Sequence, residues 1–380
     1  MFSNMVSGDK SLVHSISSIS IPVRVGKYFV CGSSSTSDYQ PHHLPLPSPN
    51  PAHSFFPYIH QLTNPPAPLV YLHSQEQYFP TDIQSQLTNS IPRVNFQPVS
   101  NPPNPLDLNN LNQLGGDVYL TSKDDVTQNP EWIKGVRPDG NGKTNNAVTA
   151  AIIVNDKGNG DVDVFYMYYY AYNYGGTVLG LKELNFGNHV GDWEHTMLRF
   201  KDGVPQWLWY SQHANGQAFK YDITQKHPSS PSRPLAYSSR GSHANYAIPG
   251  KHDHTIPNFN LPGGVLEDHT DAGILWDPLQ AAYFYKFNAG DASFTPYDQS
   301  GNTPVNYLYF KGRWGDQEYP TSDKRQVKLF GQAKFSSGPT GPADKQLNRS
   351  NVCPENGKKC ILRGILVPRS LGDEESEDVE

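Results

Sequence analysis

The chain has 380 residues, of which 36% are hydrophobic, with a mean hydropathy of −0.61 and a formal net charge of −6. Six acids and no base fall within residues 371–380, so the remainder is formally neutral and lacks the basic face that a nucleic-acid binder needs. No apolar run is long enough to span a bilayer, and 32 Gly, 33 Pro, 22 Tyr and 17 Phe favour strands and turns over helices.

Residues 1–65 read as a disordered Ser/Pro/His-rich tail, because such a segment buries too little apolar area to offset its ordering entropy. The stretch nearest to a signal peptide, Ile19 to Val30, is interrupted by Pro22, Arg24 and Lys27. Order is expected from Pro68-Leu69-Val70-Tyr71-Leu72 onward, with a short helix over 81–88 and a long Pro/Asn-rich loop over 92–113. A strand over 147–154, a turn over 155–160 and an aromatic strand over 162–172 predict a hairpin. The run Phe165-Tyr166-Met167-Tyr168-Tyr169-Tyr170 reads as a core strand, with a sugar-stacking face as the alternative. Strands over 196–200 and 206–212 flank Asp202-Gly203, a hairpin signal. Further strands are expected at 217–221, 234–238, 281–287 and 305–310. The acidic end, 366–380, is expected to be disordered. Together these elements predict a mainly β fold: an antiparallel β-sandwich-like domain over 66–365, with long loops and few short helices.

The densest chemistry lies in Gly187-Asn188-His189-Val190-Gly191-Asp192-Trp193-Glu194-His195. Charged groups are seldom buried unpaired, and a solvated loop seldom carries a Trp, so this stretch points to something held or bound. Strand alternation puts Asp192 and Glu194 on one face and His195 on the other. If Asp202-Gly203 is a two-residue loop, Asp192 falls opposite His213 and Glu194 opposite Ser211. An internal echo adds to the site: Ser211-Gln212-His213-Ala214-Asn215 resembles Ser242-His243-Ala244-Asn245, and His252-Asp253-His254 and Glu267-Asp268-His269-Thr270-Asp271 follow. Eight of the 14 histidines lie between 189 and 269, which concentrates any imidazole chemistry there.

Imidazoles and carboxylates in this mixture suit a divalent metal such as Zn, Mn or Fe, with His189, Asp192, His213 and His243 as ligands and Glu194 or His195 as general base of a hydrolase. Metal-free acid/base catalysis and a purely structural role for the same side chains stay open. A glycan-binding module built on the aromatic and histidine-rich loops is a third reading. Cys353 and Cys360 are spaced for a small disulfide, which would imply an oxidising compartment; the alternative is two free thiols. Asn348-Arg349-Ser350 is a glycosylation sequon.

The 187–195 block resembles the signature of the vacuolar protein sorting-associated protein 62 family of fungi and plants. Leu69-Val70-Tyr71-Leu72-His73, Tyr78-Phe79-Pro80, Tyr210-Ser211-Gln212-His213, Ser242-His243-Ala244 and Gly338-Pro339-Thr340-Gly341-Pro342 support it over about 66–365, closer to the fungal branch. The resemblance implies a role in protein targeting to the vacuole, with vacuolar cargo as a partner and a vacuolar, secretory-pathway or extracellular location. It implies no particular chemical activity.

Overall fold

The computed structural model describes residues 66–177, 185–213, 215–253, 267–329, 331–356 and 360–366. The expected tails at 1–65 and, from 367, at the C-terminus lie outside these residues, as do Ala214 and His254.

Two sheets dominate. The larger has eight strands in the spatial order Ser293–Pro296, Ala282–Asn288, Ala150–Gly158, Asp161–Asn173, His189–Lys201, Val204–Gln212, Asn215–Lys220 and Leu362–Arg363. The smaller runs Lys226–His227, Ser230–Ser238, Leu69–Leu72, Ile274–Trp276, with Asn245–Tyr246 added beside Ser230–Ser238. The arrangement is strand-rich as expected, with a mixed pairing in place of a purely antiparallel one. Three contacts are parallel: 69–72 with 235–238, 282–287 with 150–155, and 218–219 with 362–363. All three bring together strands far apart in sequence, a join that local hairpin signals do not encode.

The larger sheet is covered on both faces. Val70, Leu72, Ala236 and Trp276 of the smaller sheet meet Ile152, Tyr168, Tyr170, Leu198 and Tyr210 on one side. The helix Ile83–Thr88, the 108–120 loop, residues 307–314 and the 347–353 segment cover Phe165, Met167, Tyr169, Trp193 and Met197 on the other. Double coverage explains the near-continuous apolar run at 165–170: all six side chains are buried, so they are core and offer no sugar-stacking face. Each large side chain so buried contributes roughly 2 kcal/mol.

Helix Ile83–Thr88 begins where the Asp82 carboxylate accepts the Ser85 N–H. The expected strand at 305–310 is instead a 3-10 helix, Asn306–Tyr309. Its side chains pack on the sheet: Tyr307 and Leu308 are fully buried, and the Tyr285 hydroxyl lies 3.2 Å from that of Tyr307. Aromatic content therefore marked burial and not strand. No helix among the described residues is long and apolar enough to cross a membrane.

Candidate functional site

The 187–195 block starts the longest sheet pairing, with Tyr170 opposite Asp192, Tyr168 opposite Glu194 and Met167 opposite His195. Alternation holds as expected: Trp193 joins the core of one face, against Tyr169 (4.7 Å) and Trp314 (5.3 Å). Asp192 and Glu194 share the face of Tyr168 and Tyr170. Gly191 adopts φ +67°, and a Cβ there would stand 1.8 Å from the Trp314 carbonyl oxygen. A Cβ on Gly315 would in turn stand 1.8 Å from the Val190 carbonyl oxygen, so the two backbones cross where only glycine fits. Asn188 ties the block down, donating to the Lys334 carbonyl and accepting from Gly175 N–H and Asn185 Nδ2.

Of the two expected cross-strand partnerships, that of Asp192 with His213 is not formed. The pairing starts in the anticipated register, Val204 opposite Lys201, then shifts by one between Pro205 and Trp207, giving Tyr210 opposite Thr196. This β-bulge absorbs one residue and moves His213 away from Asp192. Ser211 still reaches Glu194 with its hydroxyl, which also accepts the His195 N–H at 2.9 Å.

Each imidazole of the echo finds another carboxylate. His243 Nδ1 lies 3.0 Å from Asp192 Oδ2, and its Nε2 donates to the Tyr78 carbonyl at 2.9 Å. The Tyr170 ring stacks on it at 3.7 Å and 4°. Both ring nitrogens face acceptors, the arrangement of an imidazolium beside a carboxylate. Burial by itself would push the His243 pKa down; the Asp192 hydrogen bond and the nearby Glu76 carboxylate raise it above the ordinary value. Glu76 is itself held by the N–H groups of Gln77, Tyr78 and Gly241.

His213 Nε2 meets Asp268 Oδ2 at 2.9 Å. Asp268 also accepts from the hydroxyls of Tyr246 (2.7 Å), Ser239 (3.0 Å) and Ser242 (2.6 Å). His252 stacks on Tyr246 at 3.8 Å and lies 3.0 Å from the Thr270 hydroxyl. His213 and His243 both have positive φ, +56° and +59°. The sequence echo is thus a backbone echo, two histidines in the sparsely populated left-handed region, each aimed at a buried carboxylate.

Glu194 is 5% exposed and its pKa is pushed up to about 8, by burial first and then by Asp192. His189 donates from Nδ1 to the Gly191 carbonyl at 2.7 Å, and burial lowers its pKa. His195 lies on the opposite face. Its Nε2 accepts from Arg349 at 3.0 Å, and burial followed by the Arg349 charge holds its pKa well below the ordinary value. Glu194 and His195 therefore do not share a reaction space.

The anticipated ligand set of His189, Asp192, His213 and His243 does not converge either. Asp192 and His243 pair with each other, His213 with Asp268, and His189 with a carbonyl. Among the described residues no group of three or more His, Cys, Asp or Glu side chains is placed to hold a metal ion. Sequence reasoning missed Glu76 and Arg349, which carry no local signal. Asp268 stood in a noted cluster with no role assigned to it. The Cys353–Cys360 disulfide is formed, with Cα atoms 5.4 Å apart.

The family model for vacuolar protein sorting-associated protein 62 matches residues 18–316. A Saccharomyces cerevisiae protein named putative vacuolar protein sorting-associated protein TDA6 is 38% identical over 351 residues, covering 82% of this chain and 73% of its own. Vacuolar protein sorting-associated protein 62 of the same yeast is 35% identical over 313 residues, covering 76% of this chain and 66% of its own. No solved structure matches the chain significantly. The chain belongs to the vacuolar protein sorting-associated protein 62 family.

Proposed function

We propose that this protein acts in protein sorting to the vacuole, at a vacuole-related location, and that it does so by binding. The yeast relatives' names supply the process. The observation that supports binding is the commitment of the motif's polar groups to internal partners. Asp192 and His243 join the His189–Lys201 strand to the Tyr78 segment, and Asp268 joins the loops after two strands to the Glu267–Thr270 hairpin arm. Such a network fixes loops relative to one another and leaves a rigid rim, the requirement of a recognition surface.

A metal-assisted hydrolase is the second reading, and the donor geometry does not favour it. The candidate ligands are separated and already paired, so no step through a metal is derived. The test is complementation. Yeast cells lacking both relatives, supplied with this chain, should regain delivery of a vacuolar cargo, and the Asp192→Asn variant should fail to restore it. A chain that accumulates folded and yet leaves delivery defective would overturn the reading. Restored delivery by a variant with its Asp192–His243 pair removed would separate the network from the function.

A further inference from the structure

The segment 345–356 forms a strap across the larger sheet. Arg349, 1% exposed, bonds His195 and the carbonyls of Lys345, Gln346 and Val352, and lies over the Phe165 ring at 4.9 Å. Its neighbours Asn348 and Ser350 are exposed. Asn348-Arg349-Ser350 is the one Asn-x-Ser/Thr triplet in the chain. The Asn348 side-chain oxygen accepts from Asn155 Nδ2 at 3.3 Å, while its amide nitrogen has no hydrogen bond to a described residue. A second, independent observation is the Cys353–Cys360 disulfide, which persists in the oxidising lumen where such triplets are read.

We propose that Asn348 carries an N-linked oligosaccharide, attached before the strap closes. In the folded strap the triplet is tied down. The Arg349 carbonyl accepts from Lys157 Nζ at 2.6 Å, the Ser350 carbonyl accepts from Arg199 at 2.9 Å, and the Ser350 hydroxyl donates to Glu355 at 2.8 Å. A transferase must grip the serine hydroxyl and bend the backbone around the asparagine, and here both are held. Cys353 follows Ser350 by three residues, so disulfide closure competes with transfer.

The donor is a polyprenyl-pyrophosphate oligosaccharide used by the host's transferase. The sugar C1–O bond breaks and the pyrophosphate leaves with the electron pair. A bond forms from C1 to Asn348 Nδ2, and one amide proton is released. In the folded protein the glycan projects from an exposed position and leaves the Arg349–His195 contact intact.

The full chain expressed in yeast is analysed by peptide mapping before and after peptide N-glycosidase. The expected result is a downward gel shift on deglycosylation, with conversion of Asn348 to aspartate read by mass spectrometry. The shift is lost in Asn348→Gln and in Ser350→Ala and retained in Ser350→Thr. Occupancy rises in Cys353→Ser. A wild-type chain unmodified at Asn348 overturns the site. Equal occupancy in wild type and Cys353→Ser overturns the order of events.

Discussion

Glu194→Gln tests whether the buried Glu194 carboxyl is neutral in the native state. Glu194 sits at 5% exposure two residues from Asp192, on the same face, and its pKa of about 8 stands well above the ordinary carboxylate range, because burial and the Asp192 charge disfavour the ionised form. The native state thus holds a proton that the unfolded chain releases. Stability from this group is full below the unfolded carboxylate value, near pH 4, and falls as pH rises to about 8. A displacement of that size corresponds to about 4–5 kcal/mol, and relaxation of a charged buried group brings the expected loss to about 3 kcal/mol. Glutamine keeps an acceptor for the Ser211 hydroxyl and never ionises. Wild type and variant should unfold together at about pH 4, while at about pH 8 the variant should be more stable by about 3 kcal/mol, several degrees in Tm. Thermal unfolding followed by circular dichroism across a pH series reads this directly. If the two proteins keep a constant difference across the series, Glu194 is not protonated in the native state and the argument for a neutral acid fails.

Asp192→Asn leaves a buried imidazolium opposite a neutral amide and should cost about 3–5 kcal/mol, measured by urea unfolding. With a raised pKa, His243 lends stability that is present below the ordinary histidine value and lost as pH rises through the folded one; that alkaline loss should vanish in Asp192→Asn. Gly191→Ala drives a Cβ into the Trp314 carbonyl at a positive-φ position, so the expected outcome is a loss of more than about 3 kcal/mol or no folded protein in expression trials. Reducing Cys353–Cys360 opens a short loop and should lower stability by about 2 kcal/mol, read as a drop in Tm on adding reductant.

Much of the frame was legible in the chain. Alternation along 189–201 assigned Asp192 and Glu194 to one face because the pleat has period two. The Asp202-Gly203 turn located the hairpin with the right opening register. The bulge between Pro205 and Trp207 takes up the exposed Gln206, and a regular residue-by-residue count from the turn has no place for that extra residue. The partners of the site were hidden for another reason. His243 is completed by a backbone carbonyl at Tyr78, His195 by Arg349, and Glu76, beyond its local bonds to Gln77 and Tyr78 N–H, by the Gly241 N–H, contacts set by tertiary closure. A main-chain oxygen has no letter in a sequence, and which carboxylate each imidazole meets is decided only when distant loops come together.

The Asp161–Asn173 and His189–Lys201 strands share twelve paired positions, and both lie between two covering layers. Amide hydrogens at the middle of that ladder, such as those of Met167 and Met197, can reach deuterium only when a covering layer and the ladder separate together. Exchange there should therefore report global unfolding, and the slowest amides should cluster on these two strands. A chain that must be threaded through a narrow channel would then have to pass before this ladder zips, because no partial opening exposes it piece by piece.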